Sequence, residues 1–291
     1  MARLRDLAEL VRAPAALSVP GDVVAGAAAA GTLGARTAGL AGASICLYWA
    51  GMAANDWADR DLDAVERPER PIPSGRISAR TALGVAAGLT AAGVAVAGLT
   101  GGRRALAIAG PLAAAVWAYD IKAKGTPAGP PVMAVCRGLD VLLGASGGRP
   151  RKALPAALAV AAHTYTVTEL SRREVSGADR RLPAATLAGT AALAAAVARP
   201  PRNTGTGRAR WAQSVSAALT SQYATQYGAA QARAIADPSA ERIRAAVGTG
   251  ITGLPALQGA LTARAGAVLA GLAVAVAAPL GRFLARRISA T

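Results

Sequence analysis

Residues 53–78 read AANDWADRDLDAVERPERPIPSGRIS, and the rest of the chain is best read outward from them. The stretch closes an apolar segment and holds six acids: Asp56, Asp59, Asp61, Asp63, Glu66 and Glu69. The whole 291-residue chain has only 16. Asn55, Asp56, Asp59 and Asp63 form the pattern N-D-x-x-D-x-x-x-D. On a continuous helix the three aspartates share one face. Carboxylates crowded in this way repel one another and lose solvation unless a cation holds them. Oxygen-only donors suit Mg²⁺, which keeps several waters and bridges to phosphate oxygens. The spacing predicts a metal-held diphosphate where a membrane helix meets water, with Asp56, Asp59 and Asp63 as ligands. Asp61 and Glu66, off that face, read as a solvated helix end.

The composition agrees with a membrane setting. Apolar residues make up 53% of the chain and charged residues only 16%, with a net charge of +16, whereas a soluble domain carries about 25% charged residues. That apolar content also excludes a disordered chain. The positive charges are mostly arginines, scattered in ones and twos between apolar runs. This distribution suits loops flanking membrane helices and not a groove that tracks nucleic acid. Cys46 and Cys136 sit in apolar segments and read as small buried hydrophobes. The single histidine, His163, has no spaced partner for a zinc site and reads as a packing residue.

A bilayer-spanning helix needs about 20 apolar residues, and such stretches recur at roughly 15–34, 39–56, 80–101, 104–120, 131–147, 153–171, 183–199, 210–230 and 265–286. A tenth, near 243–262, is either a further span or a helix lying in the interface. The segment 210–230, rich in Gln, Ser and Thr, is either a span whose polar face meets other helices or a surface amphipathic helix. The expected fold is an all-α polytopic bundle of about nine transmembrane helices around a central cavity, forming one domain over residues 1–291. The opening MARLRDLAELVRAP mixes Arg, Asp and Glu, unlike a signal-peptide core, and predicts a short interfacial helix. Lys and Arg number fourteen in one set of alternate loops and ten in the other. This predicts an aspartate-rich loop facing the cytoplasm, and the expected location is the inner membrane of a bacterial cell.

N-D-x-x-D-x-x-x-D followed by R-P-I-P-S-G resembles the first aspartate-rich motif of the UbiA superfamily of intramembrane prenyltransferases. The runs CRGLDVLLG and ELSRREVSG are similar to its EboC-like branch. The resemblance implies Mg²⁺, an isoprenyl diphosphate donor and an acceptor reached from the lipid. In AYDIKAKG, Tyr119 and Lys122 are similar to the family's Y-x-x-K element, whose lysine contacts the diphosphate, and Lys124 can share that role. The second acidic motif departs from the family pattern: Ser171 and Val175 stand at its aspartate positions. Glu169, Glu174, Arg172 and Arg173 remain nearby, so the arginines can neutralise diphosphate where a second metal would sit, or simply pair with the glutamates.

Arg137 and Asp140 interrupt the fifth span at i,i+3 spacing. They form either a structural pair or part of the substrate site, the usual role of charge inside a bilayer. The expected reaction is prenyl transfer. Asp56, Asp59, Asp63 and Lys122 act on the diphosphate, and Glu174 or Asp140 takes the acceptor's proton. Asn55, Tyr119, Lys124, Arg137, Asp140 and Arg172 bind substrate. A membrane terpene cyclase and a non-catalytic lipid-diphosphate carrier are the competing readings.

Overall fold

The computed structural model describes residues 4–200 and 207–276. The chain forms α1 (Leu4–Leu10), a 3-10 turn (Ala13–Ser18), α2 (Pro20–Ala30), α3 (Ala35–Ala58), α4 (Arg60–Glu66) and α5 (Ala79–Ala118). After a π-helical turn (Tyr119–Ala123) come α6 (Gly129–Gly144), α7 (Pro150–Ser171), α8 (Arg181–Ala198), α9 (Gly207–Ala236) and α10 (Ala240–Arg264). A further helix, α11, covers 268–276. No strand occurs among the described residues, and the all-α bundle expected from the hydropathy is the observed fold.

Among the described residues, three helical stretches are long and apolar enough to cross a bilayer: Ala35–Ala58, Ala79–Ala123 and Arg181–Ala198. The second is long enough to cross twice, and Gly102 is where it turns. With φ 67 and ψ −157, Gly102 occupies a region open in practice to glycine alone. The chain reverses there, and Trp117 Nε1 returns to donate to Thr90 Oγ1 at 3.0 Å. The two spans expected at 80–101 and 104–120 are the two arms of this hairpin.

Successive helices alternate in direction. One end of the bundle gathers the segments around 59–78, 119–128, 172–180 and 237–239, and the other gathers 31–34, 145–149 and 265–267. Alanine and glycine hold the bundle together by close approach, the main source of adhesion between helices in lipid. A Cβ at Gly26 would strike the carbonyl of Val141, and one at Gly144 the carbonyl of Val23. These contacts press α2 onto α6. One core fills the space among α2, α3, α5 and α6, and another the space among α7 to α10. A smaller core seats Leu10 of α1 against Ala53, Ala54 and Ile77 at the aspartate end.

The two segments left open by sequence both belong to the bundle. Residues 243–262 lie within α10, where Leu257, Gln258 and Ala260 are fully buried. Residues 210–230 lie within α9, which buries Tyr223, Tyr227 and Gln231. Its opposite face keeps Ser221, Gln222, Thr225 and Gln226 exposed. Among the described residues eleven α-helices therefore stand where about nine spans were expected, counting the short α1 and α4. The end of the 265–286 span lies outside the described residues.

Candidate active site

The aspartates sit where α3 gives way to α4. The helix is not continuous: Asp59 (φ −90, ψ 2) ends α3 and precedes α4. This corrects the single helical face expected for the three carboxylates. Asp56 and Asp63, both buried, stay together, while Asp59 turns to a different neighbour.

Each carboxylate faces a cation. Arg70 bridges two of them, with Nη1 at 3.3 Å from Asp56 Oδ1 and 2.6 Å from Asp63 Oδ2. Arg12 Nη2 donates to Asp56 Oδ1 at 2.9 Å, and Arg67 stands 3.5 Å from Asp63 Oδ1. Lys124 Nζ lies 2.6 Å from Asp59 Oδ1. Asn55 Nδ2 donates to Asp120 Oδ1 at 3.3 Å, which adds a fourth, buried carboxylate.

Local backbone geometry explains two of these partners. Among the described residues, Arg12 is the only non-glycine with positive φ (47°). That conformation costs roughly 1–2 kcal/mol, and it leaves the guanidinium against Asp56. The π-turn decides between the two lysines. Lys124 N donates to Tyr119 O at 3.0 Å, and this wider turn carries position 124 to the face that α-helical phasing would give to 122 or 123. Lys122 is exposed and makes no ion pair among the described residues, so Lys124 is the lysine that reaches the cluster.

Beneath Asp120 a cavity of about 90 Å³ enters the bundle. Tyr119 and Asp120 lie on its upper wall, and Ser44, Arg137 and Asp140 line its deep end. Arg137 and Asp140 do not pair with each other as their spacing suggested. Arg137 Nε reaches across to Asp22 Oδ2 at 2.8 Å, because the contact at Gly26 and Gly144 brings the two helices together there. Asp140 instead accepts from Ser44 Oγ, at 2.6 and 2.7 Å to its two oxygens. Gln258 Nε2 donates to Asp22 Oδ1 at 2.6 Å and to Ser18 O at 3.0 Å.

The 172–180 segment shares the aspartate end but stands apart. Arg172 is exposed and lies 3.9 Å from Glu169. Glu174 is half-buried, and this burial holds its carboxyl above the ordinary range against the pull of Arg244. Neither Arg172 nor Glu174 makes a hydrogen bond or ion pair to Asp56, Asp59 or Asp63 among the described residues. Outside the bundle, Arg76 clamps α1 through Asp6 at 2.9 Å and Glu9 at 2.6 Å.

Among the described residues no three His, Cys, Asp or Glu side chains converge as a ready metal site. Mg²⁺ does not require that, since it binds through one or two carboxylates plus substrate phosphates. The donors at the mouth are all oxygens, and the buried Asp63 Oδ1 makes no hydrogen bond. The residues present fit such an ion.

The model of the UbiA prenyltransferase family matches residues 17–198. The chain belongs to the UbiA prenyltransferase family. It is 40% identical over 158 residues to a digeranylgeranylglyceryl phosphate synthase of Methanopyrus kandleri, covering 52% of this chain and 56% of that one. It is also 42% identical over 123 residues to the bacteriochlorophyll synthase 33 kDa chain of Cereibacter sphaeroides, covering 38% of each. The chain thus spans about half the length, or less, of the curated relatives it matches. Two solved structures share the fold across most of both chains. One, concerning digeranylgeranylglyceryl phosphate synthase in membranes, has a TM-score of 0.68 at 17% identity, covering 92% of this chain and 100% of that one. The other, an apo UbiA homologue from Aeropyrum pernix K1, has 0.64 at 20%, covering 93% and 97%. With its apolar helices and this family, the protein is an integral membrane protein.

Sequence reasoning missed Arg12, Asp120 and the partnership of Asp22 with Arg137. Asp120 lay inside the run already read for Tyr119 and the lysines, and Arg70 stood in the quoted R-P-I-P-S-G motif. Arg12 carried no signal of its own.

Proposed function

We propose that this single membrane domain transfers an isoprenyl group from an isoprenyl diphosphate to a lipid-soluble acceptor, with the aspartate end facing the cytoplasm. The observation that carries this reading is the convergence of Asp56, Asp59, Asp63 and Asp120 with Arg12, Arg70 and Lys124 above a cavity that leads into an apolar bundle. Asp56, Asp59 and Asp63, with Asn55, would hold Mg²⁺, which supplies charge neutralisation to a departing diphosphate.

Arg12, Arg70 and Lys124 bind the diphosphate oxygens, and Lys122 and Arg172 attract the donor from the water side. As the C1–O bond breaks, its electron pair leaves with the diphosphate, and the cations already in place stabilise that charge without reorganising. Tyr119 and the apolar wall shield the allylic cation from water. The acceptor forms its bond to C1, and its proton passes to a carboxylate. Asp120, held at the mouth by Asn55, is the first candidate. Glu174, with its carboxyl held high, is a further candidate, whereas Asp140, held eleven α3 residues deeper by Ser44, lies beyond reach of C1.

Asp59→Ala should lower diphosphate release by about a hundredfold or more while the detergent-purified protein elutes as the wild type does. Release at the wild-type rate would remove the assignment. Donor consumed without any acceptor would point to a cyclase, and donor bound without diphosphate release to a carrier.

A further inference from the structure

A second hollow lies at the end of the bundle away from the aspartates. It encloses about 550 Å³, within the range of about 300–1,000 Å³ usual for sites that take small ligands. It opens between α7 and α8, which are joined by residues 172–180 at the aspartate end and by no loop at this one. Ala156, Leu158 and Ala159 line it from α7 and Leu193 from α8, with buried Leu261 of α10 among them. Leu158 is 67% exposed, so this apolar wall faces the lipid.

Two cations stand on the same wall, Lys152 and Arg264. Lys152 is exposed at the start of α7. Arg264 is held in place, because its Nη1 donates to the carbonyls of Val197 and Arg199 at the end of α8. Neither side chain makes an ion pair among the described residues. The chain has no counterion to offer them. Acids are absent from residues 23–55, 70–119, 141–168, 180–236 and 242–291, the stretches that reach this end. Those stretches nevertheless bring Arg103, Arg104, Arg149 and Arg151 to it, besides Lys152 and Arg264. The neutralising charge therefore has to come from outside the protein. A cation that only marked the membrane boundary would need neither an anchor nor a hollow beside it. A small soluble anion would leave the apolar wall unused.

We propose that this hollow binds an anionic phospholipid of the surrounding bilayer. Its phosphate lies between Lys152 and Arg264, where a point charge and a planar fork of donors meet the phosphate oxygens. An acyl chain runs along Leu158, Leu193 and Leu261. The lipid then ties α7 to α8 and α10 where no loop does so, and it stabilises the folded bundle by binding only that state. The proposal rests on the fold and the charge distribution and does not depend on prenyl transfer.

The test titrates the full-length protein in detergent with dioleoyl phosphatidylglycerol, dioleoyl phosphatidylcholine and inorganic phosphate. Bound lipid is counted by native mass spectrometry, and unfolding is followed on heating. Phosphatidylglycerol should bind about fivefold or more tightly than phosphatidylcholine and raise the unfolding temperature, and inorganic phosphate should not raise it. Lys152→Glu reverses one exposed charge and should weaken phosphatidylglycerol binding by about tenfold. Ala196→Trp fills the hollow from an exposed position on α8 and should weaken both lipids. Equal binding of the two lipids overturns the proposal, as does inorganic phosphate that stabilises as well as phosphatidylglycerol. Phosphatidylglycerol binding unchanged in Lys152→Glu places the lipid elsewhere on the surface and overturns it too, and this exposed substitution decides the matter even if Ala196→Trp does not fold.

Discussion

Two buried polar regions lie in this bundle, and they differ in what their polarity is for. One joins α7 to α9. His163 Nδ1 and the Tyr223 hydroxyl are 2.9 Å apart, the Thr166 and Tyr227 hydroxyls 3.2 Å apart, and both tyrosine rings stand edge-on to the imidazole. These neutral groups answer one another among packed side chains. The other region, among α2, α3, α5 and α6, carries formal charge and borders a cavity, and some of its donors and acceptors lack partners. Burial is equal in the two. Both regions leave some buried polar atoms unpaired, Gln231 in the first and Arg137 in the second, so charge and adjoining space mark the second as a site and the first as a fastening.

The comparison can be broken at several points. The largest effect should come from Arg70→Ala, which strips the shared partner from buried Asp56 and Asp63. Turnover should fall by about a hundredfold or more, measured as diphosphate release. An active Arg70→Ala protein would show that the mouth cations only hold the fold. Next, Arg137→Leu leaves Asp22 buried and unpaired and should cost about 3–5 kcal/mol, read from thermal unfolding in detergent. Adding Asp22→Leu should recover most of that loss.

His163→Phe should cost about 1–3 kcal/mol, because the Tyr223 hydroxyl is left without its partner, and turnover per folded molecule should stay at the wild-type level. Lost turnover in a folded His163→Phe protein would erase the distinction between the two regions. The smallest effect concerns pH. Arg76 holds the Glu9 carboxyl below its usual range by hydrogen bonding. The stabilisation is therefore complete above the ordinary glutamate value of about 4.3 and is lost as pH falls through the lowered one. Protease cleavage within residues 4–12 should increase in that acidic window, and Arg76→Ala should show the increase already at neutral pH.

Much of the helical plan was legible. Runs of apolar residues marked the spans, and even the hairpin at Gly102 could be read from a glycine pair followed by Arg103 and Arg104. The acidic pattern located the mouth because acids are otherwise scarce. Partnerships between helices were not legible. Arg12 meets Asp56 across 44 positions of sequence, and Arg137 passes over Asp140, one turn away, for a carboxylate on α2. Periodicity ranks neighbours within one helix and is silent on crossings set by glycine contacts. The exchange of Lys122 for Lys124 has a different cause, since one π-turn shifts the phase that helical counting assumes.

The hairpin closed at Gly102 has a mechanical consequence. Its arms lie side by side, so the loop that brings Arg70 and the turn that brings Lys124 hang from the two ends of one rigid lever. A substrate cannot be admitted by prising these ends apart without breaking the lever. The spacing of those two cations is thereby tied to the packing of the hairpin's arms.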